Sequence, residues 1–214
     1  HTLTSGSHAG AHGIGCVKTG CCQYGLQIAS LCAGDNVCCF TSDTCGGTSS
    51  GGSGVAASRS DVDVRITELN GLKTCFVNWG NAHCIEPALL AAVASRETQG
   101  GALLDSRGYG DNGNGYGIMQ CDIHTSGLDC TRCSPRSCCH LEMMSAFLIE
   151  KIKLVQSRHT SWSKDQQLQG GVAAYNYFPS GTSFSAVDSH TTGHDYSNDV
   201  IARAQWLKNH YHYY

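Results

Sequence analysis

The sequence predicts a mainly α-helical domain preceded by a small disulfide-rich module. Apolar residues recur at helical spacing through the second part of the chain, and alternating strand patterns are scarce. Half of the cysteines fall within the first 45 residues. A chain of 214 residues is long enough for one full domain and one small extra module.

Composition excludes two classes of protein. The formal net charge is −3 and charged residues make up only 14% of the chain, so no basic field is present for nucleic acid or an anionic membrane. No stretch approaches the roughly 20 apolar residues that a membrane helix needs. The 41% of apolar residues is sufficient for a buried core.

Cysteine content indicates the compartment. Fourteen cysteines are more than a reducing cytosol usually leaves unpaired, and the chain begins at His1, as a mature chain would after signal-peptide removal, so we expect a secreted protein. The first group is Cys16, Cys21, Cys22, Cys32, Cys38, Cys39 and Cys45. The second group is Cys75, Cys84, Cys121, Cys130, Cys133, Cys138 and Cys139. Each group has seven members, so full pairing requires at least one bridge between them.

The cysteine groups also suggest the domain organisation. We expect a cysteine-rich module over residues 1–45, a Gly/Ser linker over 46–54 and the main domain over 55–214. Disulfides are the expected use of the cysteines between Cys121 and Cys139. A zinc site is the alternative there, because Cys130, Cys133 and the Cys138-Cys139-His140 run supply ligand types.

Five helices are predicted in chain order. The first covers Asp61 to Asn78, and the second starts at Glu86-Pro87 and runs to Glu97, where Gly100-Gly101 stop it. The third is the amphipathic stretch from Leu141 to Val155. The fourth is capped by Ser161 or Ser163, and the fifth covers Asp195 to Lys208. A Gly/Asn-rich loop without periodicity lies between residues 107 and 117.

Three acidic residues are candidates for catalysis. Glu97 ends an apolar helix, where desolvation would raise its pKa and keep the carboxyl protonated. Asp111 and Asp122 lie in or just after the polar loop, where a carboxylate stays ionised. One protonated acid beside ionised carboxylates is the equipment for cleaving a glycosidic bond. Taken alone the pattern is weak, because most acids at helix ends are simply solvated.

The local sequence around these acids resembles the goose-type lysozymes. The resemblance covers roughly residues 54–210 in order. Its blocks are GVAAS at 54–58, CIEP at 84–87, SRETQG at 95–100, GYGDNGNGYGIMQCD at 108–122, SWSKDQQL at 161–168, GGVAAYN at 170–176 and HDYSNDVIARAQ at 194–205.

The resemblance implies a lysozyme-like helical catalytic domain that hydrolyses peptidoglycan at the β-1,4 bond between N-acetylmuramic acid and N-acetylglucosamine. Glu97 takes the family's general-acid position, and Asp111 and Asp122 take those of the aspartates that hold the attacking water. The related lytic transglycosylases, the alternative, typically lack both aspartates. Their presence favours hydrolysis with inversion, with the acid and the water-activating carboxylate roughly 6.5–9.5 Å apart.

By motif position the resemblance also implies a set of sugar-binding residues and no cofactor or metal. Tyr175 has a plain core position as its alternative, and the assignment of His124 is open because the family usually has a longer basic stretch there. Chitin oligosaccharides stay open as a second substrate, and a monomer is the simplest expectation. The implied set is Gln120, His124, Tyr175, Asn176 and Tyr196.

The cysteine-rich module has two interpretations. It is weakly similar to hevein-type chitin-binding modules but lacks their aromatic cluster, and a structural disulfide knot is the other reading. The family counterpart of Cys84 bonds to a cysteine near the N-terminus, which would supply the bridge between the two cysteine groups. A non-catalytic peptidoglycan- or chitin-binding protein is the third functional hypothesis.

Overall fold

The computed structural model describes residues 15–18, 36–39, 54–83 and 85–214. These ranges contain seven α-helices and five short strands. The helices are α1 Gly54–Val64, α2 Ile66–Asn70, α3 Lys73–His83, α4 Pro87–Thr98, α5 Cys138–Arg158, α6 Lys164–Asn176 and α7 Tyr196–Tyr211. The prediction of a mainly α fold is confirmed. None of the helices in these ranges is long and apolar enough to span a membrane.

The strands form two small antiparallel sheets. Strands β1 (Gly15–Lys18) and β2 (Asn36–Cys39) pair with each other, with Cys16 opposite Cys38. Strands β3 (Tyr109–Gly110), β4 (Gly115–Tyr116) and β5 (Cys121–Asp122) form a three-stranded sheet in that order. The predicted Gly/Asn-rich loop therefore contains two of these strands and a short 3₁₀ turn.

The single helix predicted over Asp61 to Asn78 is wrong, because this stretch is divided among α1, α2 and α3. The chain leaves helical geometry at Arg65, and α2 ends at Gly71, whose low helix propensity favours a break. The breaks let the short helices turn across the domain, so that α1 packs on α7 while α3 packs on α4 and α5. Tertiary packing here overrides the loose periodicity of the sequence.

Helix α4 is the centre of the domain. Its residues from Ala88 to Ala94 are at most 1% exposed, which explains why its sequence is apolar all round. Pro87 occupies the first helical position, as predicted, and Gln99 ends the helix in the left-handed region with φ 53°. Packing of α4 on α3 and α7 therefore fixes its last turn, which carries Glu97.

The other long helices have clear local start signals. Ser137 accepts the N–H of His140 at the start of α5. Ser163 accepts the N–H of Gln166, whose side chain accepts the N–H of Ser163 in return, so α6 begins with a complete capping box. The predicted cap at Ser163 is confirmed. Close packing of α5 on α6 requires Gly171, because a Cβ there would lie 2.6 Å from the Cα of Ile152.

Three disulfides join six of the seven cysteines in the second group. They are Cys75–Cys138, Cys121–Cys130 and Cys133–Cys139. The expectation of disulfides between Cys121 and Cys139 is confirmed, and the zinc alternative is wrong because these sulfurs are bonded to each other. Cys84 lies outside the described residues, as do its implied partner and most of the module and linker over 1–54.

Candidate active site

An open cavity of about 420 Å³ lies where the ends of several elements meet. The last turn of α4 faces the small sheet β3–β5 across it, and the end of α6 and the start of α7 close the remaining side. All three predicted acids and four of the five predicted sugar-binding residues line it. The lining residues are Arg96, Glu97, Asp111, Asn114, Gly115, Gln120, Asp122, Tyr175, Asn176, Thr192 and Tyr196.

Glu97 is held in a largely desolvated position. Burial raises the pKa of its carboxyl from 4.5 to about 7, and the negative charge of Asp111 acts in the same direction. The Tyr196 hydroxyl donates a hydrogen bond to Glu97 Oε1, which together with the Arg96 charge opposes the rise in pKa. A carboxyl with this pKa retains a transferable proton near neutral pH.

Asp122 is ionised by the opposite environment. Its side chain is exposed, and hydrogen bonds from the Thr125 side chain and the His124 backbone lower its pKa. The backbone N–H groups of His124 and Thr125 donate to Asp122 Oδ1 at 2.7 and 2.8 Å. The Cys121–Cys130 disulfide closes this loop, and Cys130 Sγ lies 3.6 Å from the Asp122 carbonyl oxygen. The carboxylate is thus both charged and held in one direction.

Asp111 lies on the turn between β3 and β4. It has a φ of 45° and Asn112 a φ of 54°, both in the left-handed region that costs energy for residues other than glycine. The backbone and side-chain nitrogens of Asn114 donate to the Asp111 carbonyl oxygen at 3.0 and 2.9 Å and hold this turn. The turn places an exposed carboxyl at the cavity opposite Glu97.

Gln120 lines the cavity and packs against Gly110 and Gly115 of the small sheet. Its amide nitrogen donates to the Gly117 carbonyl oxygen at 2.9 Å. A Cβ on Gly110 or Gly115 would lie 2.5 or 2.2 Å from its amide oxygen. A side chain at either glycine would therefore displace the Gln120 amide, which packs against the loop that carries Asp111.

The remaining predicted sugar-binding residues have different positions. The Tyr175 hydroxyl donates to the Met119 carbonyl oxygen at 2.7 Å, and its ring is largely buried. Tyr196 is only 1% exposed, so it contacts Glu97 rather than offering a ring face. Asn176 bonds both ways with Thr192, at 2.9 and 3.3 Å. The side chain of His124 is exposed and is not among those that line the cavity.

Comparison with known proteins identifies the family. The family profile described as lysozyme g matches residues 38–211. The chain belongs to the lysozyme g family. Lysozyme g proteins are glycoside hydrolases of the muramidase class, whose substrate is peptidoglycan, and the resemblance noted in the sequence is confirmed.

Relatives from a bird and a fish agree with this assignment. Lysozyme g of Gallus gallus is 39% identical, over 73% of this chain and 73% of the bird protein. Lysozyme g of Epinephelus coioides is 37% identical, over 74% of this chain and 85% of the fish protein. A "Glycine, glutamate and proline-rich protein" of Lottia gigantea is 37% identical over 95% of this chain, which spans 64% of the length of that protein.

Sequence reasoning missed one side chain at this cavity, that of Arg96. Arg96 pairs with Asp195 at 3.3 Å and with Asp199 at 3.1 Å, and Asp199 pairs in turn with Arg203 at 2.9 Å. This network fixes the start of α7, which brings Tyr196 to Glu97. The acids and Arg203 stand four residues apart in the sequence, a spacing that indicates ion pairs along one helix face. That spacing does not reveal that Arg96 joins them.

Proposed function

We propose that this chain hydrolyses the β-1,4 bond between N-acetylmuramic acid and N-acetylglucosamine in bacterial peptidoglycan, with inversion at the anomeric carbon. The observation that carries the proposal is the pairing of unlike carboxyl groups across one cavity. Burial raises the Glu97 pKa to about 7, while hydrogen bonds lower that of Asp122. Such a pair supplies an acid and a base at the same pH.

Each group has a defined role in the proposed reaction. Glu97 donates its proton to the glycosidic oxygen as the bond from that oxygen to the anomeric carbon breaks. A water molecule on the opposite face of the sugar attacks that carbon and forms the new C–O bond. Asp122, helped by Asp111, orients this water and accepts its proton, so the product carries the inverted configuration.

The surrounding residues fit a sugar chain with N-acetyl groups. Gln120 and Asn176 present amide groups at the cavity, and Tyr175 forms its wall. Tyr196 acts on the substrate through Glu97, which it restrains. Chitin oligosaccharides carry the same N-acetyl groups and are the second substrate to examine. We further propose that the protein is secreted and works as a monomer without cofactor or metal.

The test is digestion of purified peptidoglycan, with mass spectrometry of the released fragments. Wild type should release fragments with reducing N-acetylmuramic acid ends, and Glu97→Gln should lose at least a hundredfold in rate because the general acid is gone. Glu142→Gln, which removes an exposed acid on α5, is the matched control and should keep full activity. Proton NMR of the first product should show the α-anomer.

Other outcomes would select the other hypotheses. Anhydromuramyl ends would make the protein a lytic transglycosylase and leave Asp111 and Asp122 without a catalytic role. Binding of peptidoglycan without release of any fragment would make it a wall-binding protein.

A further inference from the structure

A separate cavity of about 110 Å³ opens between α3 and α5, and we name it the α3–α5 cavity. Trp79 and His83 of α3 line one side, and residues of α5 from Ser145 to Lys153 line the other. The rings of Trp79 and His83, four residues apart on one helix face, contact each other with 3.7 Å between their centres. None of the residues that line the α3–α5 cavity lines the catalytic cavity. The proposed reaction therefore does not use it.

Two polar groups in the α3–α5 cavity lack a hydrogen-bond partner among the described residues. Ser145 is only 2% exposed, and within residues 54–83 and 85–214 its hydroxyl group forms no hydrogen bond. The indole nitrogen of Trp79 is buried and is likewise unpartnered in these ranges. Buried polar groups are nearly always hydrogen-bonded, because leaving them unpaired is costly. Two of them in one cavity point to a ligand that supplies both partners.

The chemistry of the lining residues matches a small amide with a methyl group. The Trp79 indole N–H is a donor only and requires an acceptor such as a carbonyl oxygen. The Ser145 hydroxyl oxygen can accept the N–H of the same amide. Ala146 and Ile149, which also line the cavity, are aliphatic and suit a methyl group. An acetamido group has all three parts.

The charges and the size of the cavity also favour a neutral side group. Glu150 and Lys153, both lining residues, pair with each other at 3.0 Å, so they attract a free carboxylate or ammonium group only weakly. The volume of about 110 Å³ is several times the roughly 30 Å³ of one water molecule. Pockets that enclose a whole small ligand start at roughly 300 Å³. The cavity therefore fits one small group that projects from a larger molecule.

We propose that the α3–α5 cavity binds an acetamido group of the glycan and is a second attachment point outside the catalytic cavity. The inference rests on the proposed function, since that function brings the protein to a polymer with this group on every sugar. The acetamido carbonyl oxygen accepts the Trp79 indole N–H, its N–H donates to the Ser145 hydroxyl oxygen, and its methyl group packs on Ile149. Attachment at two places raises the effective concentration of an insoluble substrate at the catalytic cavity.

The first test is an NMR titration of the indole N–H resonances in the full chain. Three tryptophans are present, and the resonance that disappears in Trp79→Phe belongs to Trp79. This resonance should shift saturably with methyl N-acetylglucosaminide and stay in place with methyl glucoside, which lacks the acetamido group. Trp206 already donates to Asp63 at 2.6 Å, and its resonance should not shift with either sugar. Ser145→Ala should weaken the binding seen at Trp79 about fivefold or more.

The second test is co-sedimentation with insoluble peptidoglycan, in a Glu97→Gln background that prevents cleavage. Adding Trp79→Phe and Ser145→Ala should weaken binding about tenfold, because both hydrogen bonds to the acetamido group are lost. Adding Ser157→Ala and Trp206→Phe makes the same two changes outside the cavity and should leave binding unchanged. With Glu97 restored, kcat/KM for a soluble tetrasaccharide, which gains nothing from a second attachment point, should change less than twofold in either double variant.

Three results would overturn the inference. They are a Trp79 resonance that does not move, an equal shift with both methyl glycosides, and equal binding of peptidoglycan by the two double variants. Thermal unfolding shows which variants keep the fold. Ser145→Ala removes a hydroxyl group without a partner among the described residues, so it should unfold no earlier than wild type and keeps the titration decisive.

Failure of the proposed function is separately visible. If wild type releases no fragments from peptidoglycan while the Trp79 resonance shifts with the acetamido sugar, the muramidase proposal fails and the second attachment point stands. If wild type cleaves peptidoglycan and the resonance does not shift, the muramidase proposal stands and the second attachment point is refuted.

Discussion

Glu97 and Asp122 face the same cavity from two walls that differ in structure. We call the wall formed by α4 the helical wall, and the wall formed by the disulfide-closed loop of Asp122 the loop wall. Glu97 stands on the last turn of α4, a helix whose preceding turns are almost wholly buried. Asp122 stands on a two-residue strand at the surface, and hydrogen bonds and a disulfide hold its loop. The first wall withholds water from a carboxyl group, and the second surrounds one with hydrogen-bond donors. Two similar side chains thereby obtain pKa values on opposite sides of their ordinary range.

Burial of Glu97 in the helical wall should lower the stability of the folded protein as the pH rises above the ordinary pKa of this carboxyl. Because the folded protein raises the Glu97 pKa from 4.5 to about 7, the unfolded chain loses this proton first as the pH rises. Stability therefore falls between these two values and stays lowered above them. Glu97→Gln has no charge to bury, so relative to wild type its free energy of unfolding should increase by roughly 2–3 kcal/mol between pH 4.5 and pH 8.

Urea unfolding at the two pH values measures this difference. Glu142→Gln is the control for loss of a surface acid. Its free energy of unfolding should change between the two pH values by the same amount as that of wild type. If the free energy of unfolding of Glu97→Gln does not rise relative to wild type between pH 4.5 and pH 8, the helical wall does not desolvate the carboxyl.

The loop wall should depend on its disulfide. Replacing both Cys121 and Cys130 by serine frees the loop in which Asp122 accepts its hydrogen bonds, so the carboxylate no longer keeps one direction. We expect kcat to fall about tenfold on peptidoglycan, because a small displacement of a catalytic group is costly, while the helical wall is unaffected. The same double substitution at Cys133 and Cys139, whose disulfide joins the segment before α5 to the first turn of that helix, serves as control and should reduce kcat less. Equal losses of kcat in the two double variants would mean that the whole segment from Cys121 to Cys139 has loosened, and that Asp122 is not specifically affected.

The hydrogen bond from the Tyr196 hydroxyl to Glu97 partly offsets the rise in the Glu97 pKa that burial causes. It stabilises the ionised form of Glu97, so Tyr196→Phe should raise the Glu97 pKa further. The alkaline limb of the kcat profile should shift to higher pH by the same amount. A shift to lower pH would contradict the direction of this hydrogen bond.

The smallest effect should come from the charge of Asp111 across the cavity. Its negative charge raises the Glu97 pKa but is the weakest of the four causes, so Asp111→Asn should lower that pKa less than Tyr196→Phe raises it. Titration of a ¹³C-labelled Glu97 carboxyl by NMR measures the shift even if the variant is inactive. The shift should shrink in high salt, because the two carboxyl groups interact across a cavity that is open to the surface.

Sequence reasoning succeeded where the determinants are local. Pro87 and the apolar run after it define α4, and Ser163 with Gln166 defines the start of α6. The apolar run also predicts the raised pKa of Glu97. The break at Arg65 was missed because it depends on how α1 and α3 pack on helices far along the chain, whereas Gly71 is a local signal for the second break.

The same limit applies to the site. The three acids belong to recognisable local motifs, but the contact of Tyr196 with Glu97 joins residues 99 positions apart. A second cavity beside the catalytic one is lined by Lys151 on α5 and Tyr177 after α6, and neither residue belongs to one of the motifs quoted above. Such pairs become visible only when the helices are in place.

The position of Gln120 bears on protein engineering. Replacing glycine by alanine is a common way to stabilise a protein, since it reduces the conformational freedom of the unfolded chain. Gly110 and Gly115 invite this change, because neither has a positive φ. Either alanine would nevertheless occupy the volume of the Gln120 amide and displace it. Substitutions chosen from backbone angles alone would therefore displace an amide that lines the cavity at these two positions.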